Sequence, residues 1–129
     1  MKTVLFVDDH EVLARLSCEI LEMHGYRAVS AYNAEEALKA FDKENVDILV
    51  TDWKMDGMDG LELARIVRAR HPDIPVILVT GYGPVDAGGD IAACLAKDRL
   101  FPALLNKIKV CLGESEAPSS EPEMPARTA

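Results

Sequence analysis

Four short apolar runs end on residues whose side chains could share one phosphate site. Val4-Leu5-Phe6-Val7 ends at Asp8-Asp9, and Asp47-Ile48-Leu49-Val50-Thr51 ends at Asp52. Pro75-Val76-Ile77-Leu78-Val79 ends at Thr80, and the run from Ile91 to Ala96 ends at Lys97. Carboxylates brought together repel one another, and one protonates unless a cation lies between them. A hard dication with oxygen ligands meets that need, and Mg²⁺ suits few carboxylates, several waters and a phosphate. Once neutralised, one carboxylate can attack a phosphoryl donor and form an aspartyl phosphate. Thr80 can hydrogen-bond a phosphoryl oxygen, and Lys97 can pair with another as a point charge. Singly these residues are bland, since a strand-end Asp often caps the next helix. Their joint order is what points to chemistry.

The elements that must position them alternate. Strands are expected at 3–8, 27–32, 46–51, 75–80 and about 91–96. Helices are expected at about 11–24, 34–44, 60–70 and 99–112, with a doubtful one near 84–90. Alternation with near-continuous apolar strands argues for a parallel sheet covered on both faces. In such sheets ligands bind beyond the carboxyl ends of the strands, where strand order reverses. Order 2-1-3-4-5 makes the first and third strands neighbours there, so Asp8, Asp9 and Asp52 meet. Leu13, Leu16, Ile20 and Met23 recur at helical spacing, and Gly25 follows as a helix-ending residue. Asn33 with Glu36, and Asp59 with Glu62, have capping-box spacing. Ala37, Leu38 and Phe41 form the expected buried face of the second helix. Leu63, Ile66 and Val67 do so for the third, and Leu100, Leu104, Ile108 and Leu112 for the last.

The 129 residues suffice for one domain with a single sizeable core, and 49% are hydrophobic, so the chain is globular. No apolar run approaches the roughly 20 residues of a membrane helix. The N-terminus lacks a secretory pattern, which makes the cytoplasm the default location. Net charge is −8 with no Lys/Arg cluster, which argues against direct nucleic-acid binding. Residues 114–129 hold four glutamates against Arg127, and three prolines, and read as a disordered tail or linker. Residues 1–113 are the expected domain. Cys18, Cys94 and Cys111 are odd in number and lack C-x-x-C spacing, so reduced thiols are expected.

The chain resembles the receiver domain of two-component response regulators over about residues 2–112. VLFVDDHE resembles the family's acidic pair, and TDWKMDGMDGLEL its phosphoacceptor loop, D-x-x-M-x-x-M-D-G. HPDIPVILVTGY resembles its fourth strand, and Ala96-Lys97 the end of its fifth. The resemblance implies a flavodoxin-like three-layer α/β sandwich. It implies Asp52 as phosphoacceptor, and Mg²⁺ held by Asp8, Asp9, Asp52 and the backbone carbonyl of Lys54. Thr80 would be the switch hydroxyl and Lys97 the phosphate-pairing lysine. The partners implied are a histidine kinase or phosphotransfer protein and a downstream protein target. Beyond self-phosphorylation and autodephosphorylation, no enzyme activity is implied. Self-association as a homodimer stays open.

The chain departs from the family at several points. Asp98 stands where the family usually has a cis proline, so a trans Lys97–Asp98 bond and a remodelled loop are expected. That puts the reach of Lys97 to Asp52 in question. Cys94 replaces a frequent aromatic residue three before Lys97. Lys97 follows Thr80 by only 17 positions, and GYGPVDAGGD is poor helix material. The intervening helix should be short, irregular or missing, and the output face altered. Lys54 and Tyr82, each two residues past a key position, flank the expected path of the hydrolytic water. Lys54 pairing with a phosphoryl group and Tyr82 shielding it would slow phosphate loss. These departures suit a second reading, a pseudo-receiver that binds protein without signalling through Asp52. A flavodoxin is disfavoured because Asp8-Asp9-His10-Glu11 would repel a phosphate. A free-substrate Mg²⁺ phosphohydrolase usually wants an acid where Lys54 stands.

Overall fold

The apolar runs pair as a five-stranded parallel sheet in the order β2-β1-β3-β4-β5. A computed structural model describes residues 1–55, 57–81, 91–97 and 100–114. The strands are β1 (Thr3–Val7), β2 (Arg27–Ala31), β3 (Ile48–Asp52), β4 (Val76–Thr80) and β5 (Ala93–Ala96). The helices are α1 (Glu11–Met23), α2 (Ala34–Lys43), α3 (Gly60–Arg70) and α4 (Leu100–Cys111). Every residue of β1, β3 and β4 is buried, while β2 and β5 at the sheet edges are partly exposed. That is the pattern expected when both faces of a parallel sheet are covered. The order and the flavodoxin-like three-layer architecture agree with the sequence expectation. The expected helix near 84–90 lies outside the described residues, as do Tyr82 and the Lys97–Asp98 bond.

Strand alternation feeds two cores. Val4, Phe6, Ile48, Val50, Ile77 and Val79 pack with α1 and α4 on one face. Leu5, Val7, Leu49 and Val76 pack with α2 and α3 on the other. On α2, Ala37 and Phe41 are buried as expected, and α3 buries Leu63, Ala64 and Val67.

The α1 stripe differs from expectation. The helix buries Ala14, Ser17, Cys18 and Leu21, while Leu16 is 51% and Met23 80% exposed. Ala14, Ser17 and Cys18 share the buried face with the fully buried Leu21, while Leu16 and Met23 point outward.

The helix ends follow local chemistry. Asp59 Oδ1 accepts from the Glu62 N–H at 2.9 Å, and Glu62 Oε1 accepts from the Asp59 N–H at 3.2 Å. Asn33 Oδ1 accepts from the Glu36 N–H at 2.8 Å, but Glu36 reaches back to Tyr32, one residue before the cap. Gly25 has φ +92°, and the N–H groups of Gly25 and Tyr26 bond to the Glu22 and Leu21 carbonyls. This is the Schellman ending that a glycine past the last turn permits. Gly113 ends α4 the same way, with φ +72°. Phe101 is extended (φ −103°, ψ 140°), because the ring of Pro102 disfavours a helical residue before it. The Phe101–Pro102 peptide is cis.

Candidate functional site

Parallel register brings the chemistry-bearing strand ends level. Val7 pairs with Thr51, so Asp8 follows β1 beside Asp52 at the end of β3. Asp52 pairs with Val79, and Thr80 comes next on β4. Thr80 in turn pairs with Ala96, the residue before Lys97. One carboxylate oxygen from each of Asp8, Asp9 and Asp52 lies within 4.8 Å of the others. Asp8 and Asp52 are buried, and Asp9 is exposed. Asp9 does not cap α1. That role falls to His10, whose Nδ1 accepts from the Leu13 N–H at 3.2 Å. The sequence reading missed it because a ring nitrogen is an uncommon cap. Asp8 is fixed instead, its Oδ1 accepting from the His10 N–H at 2.9 Å.

Lys97 spans the two buried acids. Its Nζ lies 3.1 Å from Asp8 Oδ2 and 3.2 Å from Asp52 Oδ2. The reach questioned on sequence grounds is therefore made. β5 delivers Lys97 to this point through its pairing with β4, whatever follows at residue 98. Thr80 is buried at the same end of the sheet.

Electrostatics explain why so charged a cluster persists. Burial, then the neighbouring charge of Asp8, raises the Asp52 pKa above its ordinary value. The Lys97 ammonium and the Trp53 N–H act in the opposite sense but do not cancel the rise. For Lys97, burial opposes the charge, yet the bonds to Asp8 and Asp52 outweigh it and the net shift is upward. The cluster thus holds its one ammonium firmly and keeps a surplus of negative charge. Such a surplus favours a hard cation with oxygen ligands.

The backbone after Asp52 is held from three sides. The Trp53 N–H bonds to Asp52 Oδ1 at 2.9 Å and to the Val79 carbonyl at 2.9 Å. The Gly60 N–H bonds to the Trp53 carbonyl at 2.7 Å. A Cβ on Gly60 would collide with the Asp52 carbonyl oxygen. Gly60 therefore lets the first turn of α3 press directly on the Asp52 backbone. Sequence reasoning saw Gly60 only as part of a motif, and its Asp-Gly pairing at a helix start was the available signal. The Lys54 Nζ sits over the Trp53 ring, 4.2 Å from its centroid.

Residues 4–101 match the response regulator receiver domain family. The chain belongs to that family. This receiver is 37% identical over 83 residues to response regulator protein FleR of Pseudomonas aeruginosa, covering 64% of this chain and 18% of FleR. It is 35% identical over 83 residues to sporulation initiation phosphotransferase F of Bacillus subtilis, covering 64% of this chain and 67% of that protein. The receiver also resembles the solved structure of response regulator TrrA from Thermotoga maritima in complex with Mg²⁺-BeF. The TM-score there is 0.80 and the identity 35%, over 87% of this chain and all of that one. TrrA has also been solved in complex with the histidine kinase ThkA. The receiver spans less than a fifth of the length of the first curated relatives it matches, 18% for FleR and likewise for DctD. It is a receiver domain of two-component response regulators, a signalling module. No described helix is long and apolar enough to cross a membrane.

Proposed function

We propose that this receiver accepts a phosphoryl group on Asp52, in the presence of Mg²⁺, from a phosphohistidine of a kinase or phosphotransfer protein. The observation that carries the reading is the cluster of Asp8, Asp9 and Asp52 with Lys97 bridging two of them. A carboxylate oxygen of Asp52 attacks phosphorus. The bond from phosphorus to the donor's imidazole nitrogen breaks, and that nitrogen keeps the electron pair. Asp8, Asp9, Asp52 and the Lys54 carbonyl would hold Mg²⁺, which when bound neutralises the carboxylates and the phosphoryl oxygens. Lys97 is placed to trade its bond to Asp52 for one to a phosphoryl oxygen, and Thr80 to hydrogen-bond another. The Trp53 N–H orients the attacking carboxylate. Beryllofluoride is a phosphoryl-like group, so the Mg²⁺-BeF complex of the similar TrrA supports a phosphoryl group and Mg²⁺ as ligands of this chain.

The phosphate adds charge and acceptor oxygens at one end of the sheet, enough to bias a two-state surface and alter protein binding. Residues 1–113 form the module, and 114–129 form a tail or linker. The cytoplasm is the proposed location. The pseudo-receiver reading draws its weight from Asp98, Cys94 and the short span between Thr80 and Lys97; the bonds of Lys97 to Asp8 and Asp52 weigh against it.

Trp53 is the chain's single tryptophan and its backbone N–H bonds to Asp52. Its fluorescence is expected to change saturably as Mg²⁺ is added, and Asp9→Asn should weaken the response. A flat titration at millimolar Mg²⁺ would contradict the metal site.

A further inference from the structure

The Lys54 ammonium rests on the face of the Trp53 indole, 4.2 Å from the ring centroid. Among the described residues it makes no ion pair. Its stem leaves the backbone two residues after Asp52, and its own carbonyl is a proposed metal ligand. The Trp53 backbone that carries the indole is held, its N–H bonded to Asp52 and Val79 and its carbonyl to Gly60. An aromatic face one residue after Asp52 therefore holds a cation that a phosphoryl group on Asp52 would also attract.

We propose that Trp53 is a positioning residue that sets the lifetime of the aspartyl phosphate by competing with the phosphoryl group for the Lys54 ammonium. The inference rests on Asp52 as acceptor. A cation on an aromatic face at an exposed site is held weakly, so the two seats are close in free energy. When Lys54 sits on the indole, water can approach the phosphorus. The water oxygen then bonds to phosphorus and the bond from phosphorus to the Asp52 oxygen breaks. The carboxylate leaves with the electron pair, and the water protons pass to the phosphate and to solvent. When Lys54 sits on the phosphoryl oxygens, its ammonium occupies that approach and hydrolysis slows.

The test is a double-mutant cycle on phosphate lifetime. The full chain is loaded with acetyl phosphate and Mg²⁺, excess donor is removed, and the adduct is followed by intact mass. Trp53→Leu is expected to lengthen the lifetime about 2–5-fold, the range that an exposed cation–π contact converts to. Trp53→Phe, which keeps a weaker aromatic face, should fall between wild type and Trp53→Leu. It also serves if Trp53→Leu does not fold. Lys54→Met should shorten the lifetime and abolish any effect of Trp53→Leu made on that background. A merely structural role for Trp53 would move the lifetime equally with and without Lys54, and that result overturns the inference. So does an unchanged lifetime in both Trp53 variants. If wild type forms no adduct at all, the acceptor reading itself fails.

Discussion

Gly60→Ala is expected to destabilise the fold by about 2 kcal/mol and to slow phosphorylation of Asp52 severely. Alanine ordinarily stabilises a helix relative to glycine by roughly 0.5–1 kcal/mol. Here the added methyl meets the Asp52 carbonyl oxygen and lies 3.1 Å from both the Asp52 carbonyl carbon and the Trp53 Cα. Backbone cannot give as a flexible side chain can. Retreat of α3 would stretch the Gly60–Trp53 hydrogen bond and the Asp59–Glu62 capping box. Retreat of the β3 end would break Trp53 from Val79 and Asp52. Either shift moves the carboxylate that must attack. Urea denaturation and the rate of adduct formation from acetyl phosphate measure the two effects. Wild-type values for both would refute the role given to Gly60.

Asp52→Asn and Lys97→Met are expected to move Mg²⁺-free stability in opposite directions. The Asp52 pKa is raised in the fold, so the folded state binds its proton more readily than the unfolded chain. Its contribution is therefore fully present below the ordinary value of 3.8 and is lost as pH rises through the raised folded value. At neutral pH the buried charge is a burden. Asp52→Asn should relieve it, raise Tm and flatten the acid limb of the pH profile. Lys97 keeps Asp8 as a partner in that variant, so no ammonium is orphaned. Lys97→Met instead leaves two buried carboxylates facing each other, and about 1–3 kcal/mol should be lost. The Lys97 pKa is raised, so its contribution disappears only as pH rises through that value on the alkaline side. Thermal melts across pH in chelator check both signs. A less stable Asp52→Asn would contradict this electrostatic account.

Much of this could be read from the residues alone. Apolar runs with no polar face fixed β1, β3 and β4 as central strands, and their polar last residues marked the site. Asp59 and Glu62 announced the start of α3, and Gly25 and Gly113 the ends of α1 and α4. What the sequence hid was mostly a matter of distance. The buried face of α1 joins Ala14, Ser17 and Cys18 to Leu21, and small residues are what periodicity of large aliphatic residues does not register. Lys97 looked compromised by its neighbour Asp98, yet strand pairing through Ala96 decides its position. Gly60 looked like one letter of a motif, while its importance is a missing Cβ against the Asp52 backbone. The contact of Lys54 with Trp53 joins adjacent residues, which no spacing rule would single out.

The central claim is that Asp52 accepts a phosphoryl group, and intact mass after incubation with acetyl phosphate and Mg²⁺ tests it most directly. The account predicts one phosphoryl adduct on the wild-type chain, not formed when Mg²⁺ is chelated beforehand and absent from Asp52→Asn. No adduct on the wild-type chain, or an adduct that survives in Asp52→Asn, would contradict it.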